Sequence, residues 1–175
     1  MIGYDKTFDY RDAALVNGLL IHGLDYDDTH SQSVIHATSS SLPTVIAAAQ
    51  IWDATPSELL LAYIIGVETS ARIGLISGGK FQQAGFHPTG LIGTFGSTLA
   101  ASKIAELSIP QIVSAQGIAL SMASGSMQFL EDGSWTKRIH PGLAAQSALN
   151  ACSLAKEDFK GPSDTYSGRY GLFPL

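Results

Sequence analysis

A group of carboxylate and imidazole side chains follows the first apolar segment of the chain. It comprises Asp25, Asp27, Asp28, Thr29, His30 and His36. Apolar residues recur at helical spacing from Tyr10 to about Leu24, so the carboxylates lie at the negative end of a predicted helix, where each is destabilised by up to about 1 kcal/mol. A compensating partner is therefore expected. These side chains could cap the next segment, as Asp often does in turns, or bind a metal ion.

A magnesium site is the less favoured of these alternatives. Asp27 and Asp28 would suit an aspartate-rich helix that holds Mg²⁺ against a diphosphate. Residues 29–33 contain no third carboxylate, however, and the sequence has no second acidic cluster on another predicted helix. We therefore predict no metal at this site.

A histidine stands directly before a glycine-rich segment, in the sequence Gly85-Phe86-His87-Pro88. A helix that begins at this proline would direct its free amide groups and its positive dipole end towards an anion beside His87. His87 could then exchange a proton with an anionic substrate. The alternative is a histidine that only caps the helix or packs in the core.

The densest cationic group of this acidic chain is Lys137-Arg138-Ile139-His140, between Trp135 and Pro141. Two neighbouring cations can bind and orient a substrate with several carboxylates. We therefore take Lys137, Arg138 and His140 as candidate substrate-binding residues. A solvated loop without a ligand is the alternative.

Three further features have simpler explanations. Residues 74–80 have the G-x-x-x-x-G-K spacing of a phosphate-binding loop, but Phe81 occupies the position of the magnesium-binding Ser or Thr. The segment also leaves a predicted helix and not a strand, so both tests of this motif fail. His22 lies inside the first predicted helix and Cys152 inside the last, and we expect both to be packed side chains.

Composition excludes several classes of protein. Of the 175 residues 45% are hydrophobic and 14% charged, and the net charge is -5. A disordered tail and a general nucleic-acid binder are therefore excluded. Cys152 is the only cysteine, which excludes a disulfide or a cysteine-ligated iron–sulfur or zinc centre within one chain. The longest apolar run, residues 59–67, is shorter than the roughly 20 residues that span a bilayer, so we predict a soluble, cytoplasmic protein without a membrane partner.

The elements that must position these residues are all predicted to be helices. A capping box, Thr55 to Glu58, opens a helix that ends at Ser77-Gly78-Gly79. Other helices are predicted for residues 10–24, 41–52, 89–107, 110–124 and 142–155, with a polar loop at 131–138. Because no segment alternates with period two, the pattern predicts one all-α domain of about six helices over residues 1–175.

Three segments resemble, in order and spacing, the MmgE/PrpD family of 2-methylcitrate dehydratases and cis-aconitate decarboxylases. They are residues 14–29 with Leu24-Asp25-Tyr26-Asp27-Asp28-Thr29, residues 85–96 with Gly85-Phe86-His87-Pro88-Thr89, and residues 133–142 with Trp135-Thr136-Lys137-Arg138-Ile139-His140-Pro141-Gly142. The resemblance implies a helical domain that packs against a smaller α+β domain, an active site between the two, and a homodimer. This chain resembles only the helical part, so we expect a fragment that lacks the second domain.

The resemblance also implies a set of site residues. Asp25, Thr29, His87 and Lys137 match positions that line the family's active site. His36 matches a loop histidine less well, because its loop is one residue longer here and lacks the proline that usually follows. The family's reactions use no metal or other cofactor. Our hypothesis gives the proton transfers to His87 and His36 and carboxylate binding to Lys137, while Asp25 and Thr29 orient a histidine and the substrate.

The motifs do not choose among the family's reactions. We favour a hydro-lyase that resembles 2-methylcitrate dehydratase, an enzyme of propionate catabolism, acting on a tricarboxylate. One alternative is a cis-aconitate-type decarboxylase or an epimerase of the same family. Another is a non-catalytic helical module for oligomerisation or binding.

Overall fold

The computed structural model describes residues 1–174, and its regular structure is helical. The helices are α1 Tyr10–His22, α2 Ala37–Ile51, α3 Pro56–Ser77, α4 Lys80–Gln83, α5 Pro88–Ile104, α6 Ile109–Leu120, α7 Phe129–Asp132 and α8 Thr136–Lys156. Over the described residues, β-type pairing is confined to two isolated bridges, His30 with Ile35 and Phe86 with Ser126. The predicted all-α class is confirmed. Six of the helices are long, and α4 and α7 have four residues each.

Helix α5 forms the centre of the fold because it is small or apolar on every side. Fifteen of its 17 residues are buried, and α2, α3, α6 and α8 pack around it. Glycines permit the close approach: a Cβ at Gly93 would lie 2.5 Å from Oγ of Ser40 on α2, and one at Gly96 would overlap with Ser70 on α3. The predicted buried helix over residues 89–107 is therefore confirmed, with slightly earlier bounds.

Both ends of α3 have the chemistry that the sequence predicts. Oγ1 of Thr55 accepts a hydrogen bond from the backbone N–H of Glu58 (3.3 Å), and Oε2 of Glu58 accepts one from the backbone N–H of Thr55 (2.8 Å). At the other end Gly78 has a φ of 56°, a left-handed conformation that glycine adopts without a Cβ clash. The G-x-x-x-x-G-K segment, residues 74–80, thus begins in the last turn of α3 and leaves it at Gly78, as expected.

Two predicted helix starts are wrong, and both errors come from prolines. Helix α2 begins at Ala37, ahead of Pro43, and α8 begins at Thr136, ahead of Pro141. A proline removes one intrahelical hydrogen bond, so the sequence suggested that each helix began near its proline. Both helices instead continue through the proline, because the residues around it are buried against neighbouring helices. The predicted polar loop at 131–138 therefore contains the end of α7 and the first turn of α8.

Helices α1 and α8 touch through two glycines. A Cβ at Gly18 would lie 2.7 Å from Cα of Gly142, and a Cβ at Gly142 would overlap with the backbone carbonyl of Leu15. The two backbones can approach this closely only where neither helix carries a side chain. The contact holds the C-terminal end of α1 beside the N-terminal turn of α8, where Nε of Arg138 donates to the carbonyl oxygen of Gly23 (2.8 Å).

Helix α3 is long and apolar enough, by length and composition, to cross a membrane. It has 22 residues, and 33% of its most apolar window is buried against the rest of the chain. One such helix is weak support for a membrane span, because a packed helix of a soluble protein passes the same test. Helix α3 packs against α5 and α2, and the absence of a membrane partner stays a prediction.

Replacing Gly142 by Ala should separate α1 from α8. The new methyl group would overlap with the Leu15 carbonyl, and overpacking of this kind costs about 1–3 kcal/mol. We expect the free energy of unfolding, measured by urea denaturation and circular dichroism, to fall by about 2 kcal/mol. The control is Ser147→Ala, a half-buried position on the same helix, which should change it by less than about 0.5 kcal/mol. Equal stability of both variants would contradict the contact.

Candidate active site

The three segments that the sequence singled out meet at one place. The backbone N–H of His36, at the start of α2, donates to Oγ1 of Thr89 on α5 (3.1 Å). Nδ1 of His87, at the start of α5, lies 3.1 Å from Nδ1 of His140 in α8. The N termini of α2, α5 and α8 therefore converge, and the turn after α1 lies beside them.

Asp25 and Lys137 form an ion pair between this turn and α8. Nζ of Lys137 donates to both carboxylate oxygens of Asp25, at 2.8 and 2.6 Å. The Lys137 hydrogen bond lowers the pKa of Asp25, burial opposes it to a smaller extent, and the charges of Lys137, His22 and His36 lower the pKa further. Asp25 has a φ of 60°, which is uncommon outside glycine. This backbone conformation aims its anionic carboxylate at α8.

Asp27 and His22 form a second, buried pair. Oδ2 of Asp27 lies 2.9 Å from Nδ1 of His22, and the two side chains are 2% and 0% exposed. Burial raises the pKa of Asp27, but the hydrogen bond with His22 and the charges of His22 and His36 together lower it below its ordinary value. Asp27 therefore keeps its negative charge inside the protein, surrounded by imidazole rings.

The third carboxylate caps a helix. Oδ1 of Asp28 accepts a hydrogen bond from the backbone N–H of Thr38 in the first turn of α2 (3.0 Å). All three carboxylates thus have the compensating partners that their position after α1 requires. Asp28 takes the predicted capping role, whereas Asp25 and Asp27 belong to the histidine cluster.

His36 lies between two carboxylates. Its Nδ1 is 3.5 Å from Oδ1 of Asp27 and 3.4 Å from Oγ1 of Thr29, and its Nε2 is 3.8 Å from Oδ1 of Asp25. The extra residue in the loop therefore does not remove His36 from the other predicted site residues.

His87 and His140 form a buried imidazole pair, in which one Nδ1 donates and the other accepts. Burial, followed by the charges of His140, His22, Lys137 and His36, lowers the pKa of His87 to about 3. Burial also lowers the pKa of His140. Both rings are therefore neutral at pH 7. The ring of His22 stacks on that of His87 (centroids 5.6 Å apart) and contacts that of His36 (4.8 Å), which makes one continuous cluster.

A pocket of about 370 Å³ opens beside this cluster. It is lined by His22, Gly23, Leu24, Asp25, Phe129, Leu130, Gly133, Ser134, Lys137 and Arg138. Arg138 is already engaged, since its Nε donates to the Gly23 carbonyl and its guanidinium lies 5.5 Å from the centre of the Trp135 ring. Lys137 and Arg138 thus present positive charge to the pocket. His140 contacts His87 behind this surface.

The structure brings the predicted catalytic residues together, and their chemical roles stay predictions. Sequence reasoning gave no site role to His22, and it considered Asp27 only for capping or for a metal. His22 is packed, as expected, but its ring also joins His36 to His87. The sequence carried one signal for the pair, a histidine in the last turn of a helix that is followed within five residues by two aspartates. The left-handed turn at Asp25 that folds Asp27 back onto His22 has no such signal.

The cluster contains residue types that bind divalent transition metals. One nitrogen or oxygen atom from each of His22, Asp25, Asp27 and His36 lies within 4.8 Å of the others. Lys137 already neutralises Asp25, however, and a bound cation would have to displace or repel that ammonium group. The histidine–carboxylate pairs account for the arrangement without a metal, and the absence of a metal cofactor stays a prediction.

The family profile described as the MmgE/PrpD N-terminal domain matches residues 1–175. The chain belongs to the MmgE/PrpD family. The resemblance of the three segments to this family is thereby confirmed.

Similar MmgE/PrpD proteins carry the names of decarboxylases. The chain is 30% identical to the cis-aconitate decarboxylase-like protein oryM of Aspergillus oryzae over 99% of its length. It is 34% identical to the cis-aconitate decarboxylase of Homo sapiens over 85% of its length, and 30% identical to that of Aspergillus terreus over 99%. It spans 37%, 31% and 36% of these relatives, about a third of each.

Replacing His87 by Gln should make the protein less sensitive to acid. The folded state holds His87 neutral, with a pKa of about 3 against 6.5 for an ordinary histidine. The contribution of His87 to the free energy of unfolding is therefore fully present above about pH 6.5. It is lost as the pH falls towards about 3, by up to about 1.4 kcal/mol per pH unit. The lowered pKa values of Asp25 and Asp27 add a further loss of stability below about pH 4, where these carboxylates become protonated.

The measurement is the free energy of unfolding from urea denaturation at about pH 8, 7, 6 and 5. The difference between wild type and variant at about pH 8 gives the packing cost of the substitution, since the ring is neutral there in both states. We expect the stability of the variant to fall less between about pH 7 and pH 5. Equal slopes for the two proteins would show that His87 is not held neutral by the fold.

Proposed function

We propose that the chain is the helical part of an MmgE/PrpD lyase that removes carbon dioxide from a tricarboxylate of the cis-aconitate type. The observation that carries the proposal is the convergence of the N termini of α2, α5 and α8 with Lys137 and Arg138 beside a histidine cluster. Helix N termini and paired cations both favour an anion with several charges. The names of the similar proteins support decarboxylation over the dehydration that the sequence alone favoured.

Decarboxylation needs a bound carboxylate and a proton donor. When the carbon–carbon bond to the leaving carboxylate breaks, its electron pair stays on the substrate, and an acid must deliver one proton to a substrate carbon. We assign this proton to His36, because its two ring nitrogens face the carboxylates of Asp27 and Asp25, which can hold and orient the ring. The neutral His87 would form a hydrogen bond to the substrate, and Lys137 and Arg138 would hold the remaining carboxylates.

Four large apolar side chains form an exposed rim near the pocket. This rim supports the view that another part of the complete protein contributes to the site. Leu24, Tyr26, Leu130 and Trp135 are 78%, 92%, 65% and 80% exposed, which is unusual for large apolar side chains beside a charged cluster. We infer that another part of the complete protein covers this rim, as the α+β domain implied by the resemblance would. Water would then be excluded from the reaction.

A homodimer and a cytoplasmic location also stay proposals. Helix α3 offers a surface for self-association, because Leu60, Leu61 and Ile64 lie on one face and are 57%, 47% and 54% exposed. Light scattering of the purified protein would measure the oligomeric state.

Replacing His87 by Ala in the complete natural protein should lower kcat by roughly 100-fold or more, because the substrate loses a group that touches the reacting atoms. The assay follows the loss of cis-aconitate by ultraviolet absorbance and the release of carbon dioxide. The matched control is His30→Ala, a histidine whose ring accepts a backbone hydrogen bond from Ser33 in the loop before α2. It should leave kcat within about twofold of wild type. Near-normal turnover of the His87 variant would remove this residue from the reaction.

The same protein should be offered 2-methylcitrate in parallel. If an unsaturated tricarboxylate forms and no carbon dioxide is released, the proposed reaction would be the hydro-lyase reaction and not decarboxylation. Turnover of neither substrate by a folded, complete protein would favour the non-catalytic helical module.

Replacing Lys137 by Met should weaken substrate binding. The substitution removes a charge-assisted hydrogen bond, worth about 1.5–3 kcal/mol, and leaves the Asp25 carboxylate unpaired beside an anionic substrate. We expect KM to rise roughly tenfold or more in steady-state assays. Lys160→Met, at a lysine side chain that is 73% exposed, is the control and should leave KM unchanged. An unchanged KM in the Lys137 variant would contradict its binding role.

A further inference from the structure

Asp27 has a carboxylate oxygen that the pair with His22 does not use. The side chain is 2% exposed, and its Oδ1 is buried without a hydrogen-bond partner among the described residues. A buried, charged oxygen without a partner is costly, and removing its charge would relieve that cost. Asp27 nevertheless stays ionised. A free, buried, ionised oxygen points to a second hydrogen bond that this carboxylate makes when the site works.

His22 fixes the direction of that oxygen. Its ring is fully buried between the rings of His36 and His87, and its Nδ1 donates to Oδ2 of Asp27 at 2.9 Å. The ring stacks on that of His87 and lies tilted against that of His36, so its neighbours set its position and its hydrogen bond orients the carboxylate. Oδ1 is thereby aimed at Nδ1 of His36, at 3.5 Å.

Only a short distance separates Nδ1 of His36 and Oδ1 of Asp27 from a hydrogen bond. A hydrogen bond between Nδ1 of His36 and Oδ1 of Asp27 needs an approach of about 0.6 Å from the observed 3.5 Å. His36 is partly exposed, at 17%, and can make this movement, whereas Asp27 and His22 are enclosed. Thr29 is the rival partner, since its Oγ1 is 3.4 Å from the same nitrogen. Its hydroxyl is neutral and lies on an exposed residue, so it is the weaker acceptor.

We propose that Asp27, held by the buried His22, is the positioning residue of this site: it accepts a hydrogen bond from Nδ1 of His36 and leaves Nε2 of His36 as the nitrogen that exchanges the substrate proton. Nε2 is the nitrogen on the side of Asp25, which is paired with Lys137 at the pocket. The sequence had given the orienting role to Asp25 and Thr29. The inference rests on the proposed function only where it uses turnover as a readout.

The charged and titratable groups around His36 come from four elements. They are His22 of α1, Asp25 and Asp27 of the following turn, His87 at the start of α5, and Lys137 and His140 of α8. Lys137 and Asp25 cancel each other as an ion pair, and His87 and His140 are neutral at pH 7. Asp27 is therefore the nearest charged group to His36 that is not neutralised on the facing side. In the described part of the chain, no cation lies on its Oδ1, the oxygen that faces the His36 ring.

The kinetic test uses Asp27→Asn in the complete natural protein, because Asn keeps the shape and removes the charge. We expect kcat to fall about 10–100-fold with KM within about threefold of wild type. In nitrogen-15 NMR, the neutral His36 ring of the variant should lose its preference for a proton on Nδ1, because the charged acceptor is gone. Asp28→Asn is the matched control: Asn can still accept the hydrogen bond from Thr38, and both kcat and the His36 tautomer should stay close to wild type.

Three outcomes would overturn the proposal. One is wild-type kcat in Asp27→Asn, and another is a lower kcat with an unchanged His36 tautomer, which a merely structural role would give. The third is a larger effect of Thr29→Val than of Asp27→Asn, which would make Thr29 the orienting group.

A second measurement does not depend on turnover and reads the wild-type protein, with a variant used only to assign signals. Nitrogen-15 NMR of histidine-labelled wild-type protein, with the His36 signals assigned from a His36→Gln sample, reports which ring nitrogen carries the proton in the neutral ring. The proposal requires a protonated Nδ1 and a free Nε2, and the opposite tautomer would refute it. If Nδ1 is protonated and no tricarboxylate is turned over, the proposed function fails while the positioning by Asp27 stands.

Discussion

The site depends on the close contact of α1 with α8. Gly18 and Gly142 let the two backbones touch, and this contact places the turn after α1 against the first turn of α8. At that distance Lys137 reaches Asp25 and Arg138 reaches the carbonyl of Gly23. Without the contact, the carboxylates at the negative end of α1 would lack their cationic partner and would destabilise the helix that carries them. The pair of glycines, far from any reacting group, is therefore a condition for the charge distribution.

Charges alternate through the cluster that this contact creates. Lys137, Asp25, His36, Asp27 and His22 follow one another at 2.6–3.8 Å. Each anion lies between two groups that can carry or donate a proton, so the two carboxylates stay ionised in spite of burial. His87 and His140 lie outside this series, and burial holds them neutral. Neighbouring histidines thus have different surroundings: His22 and His36 face carboxylates, whereas His87 and His140 face each other.

The sequence predicted the class of fold and the three converging segments, because hydrophobic spacing and capping chemistry are local properties. Thr55 with Glu58, and Gly78, set the ends of α3 as expected. The helix starts near Pro43 and Pro141 were misplaced, since tertiary burial overrides the local cost of a proline. The pairing of His22 with Asp27 was missed for a similar reason. Their pairing depends on the left-handed turn at Asp25 and on rings contributed by α2 and α5, which no local pattern encodes.

The electrostatics also bear on which reaction suits the site. Dehydration of a tricarboxylate requires a base that removes a proton from carbon and an acid that protonates the departing hydroxyl. His87, with a pKa of about 3, is a poor base, because its protonated form is disfavoured by burial. Decarboxylation requires no proton removal from carbon, since the electron pair comes from the broken carbon–carbon bond. A buried, neutral His87 beside Lys137 and Arg138 is therefore consistent with the proposed loss of carbon dioxide, which needs no base of this kind.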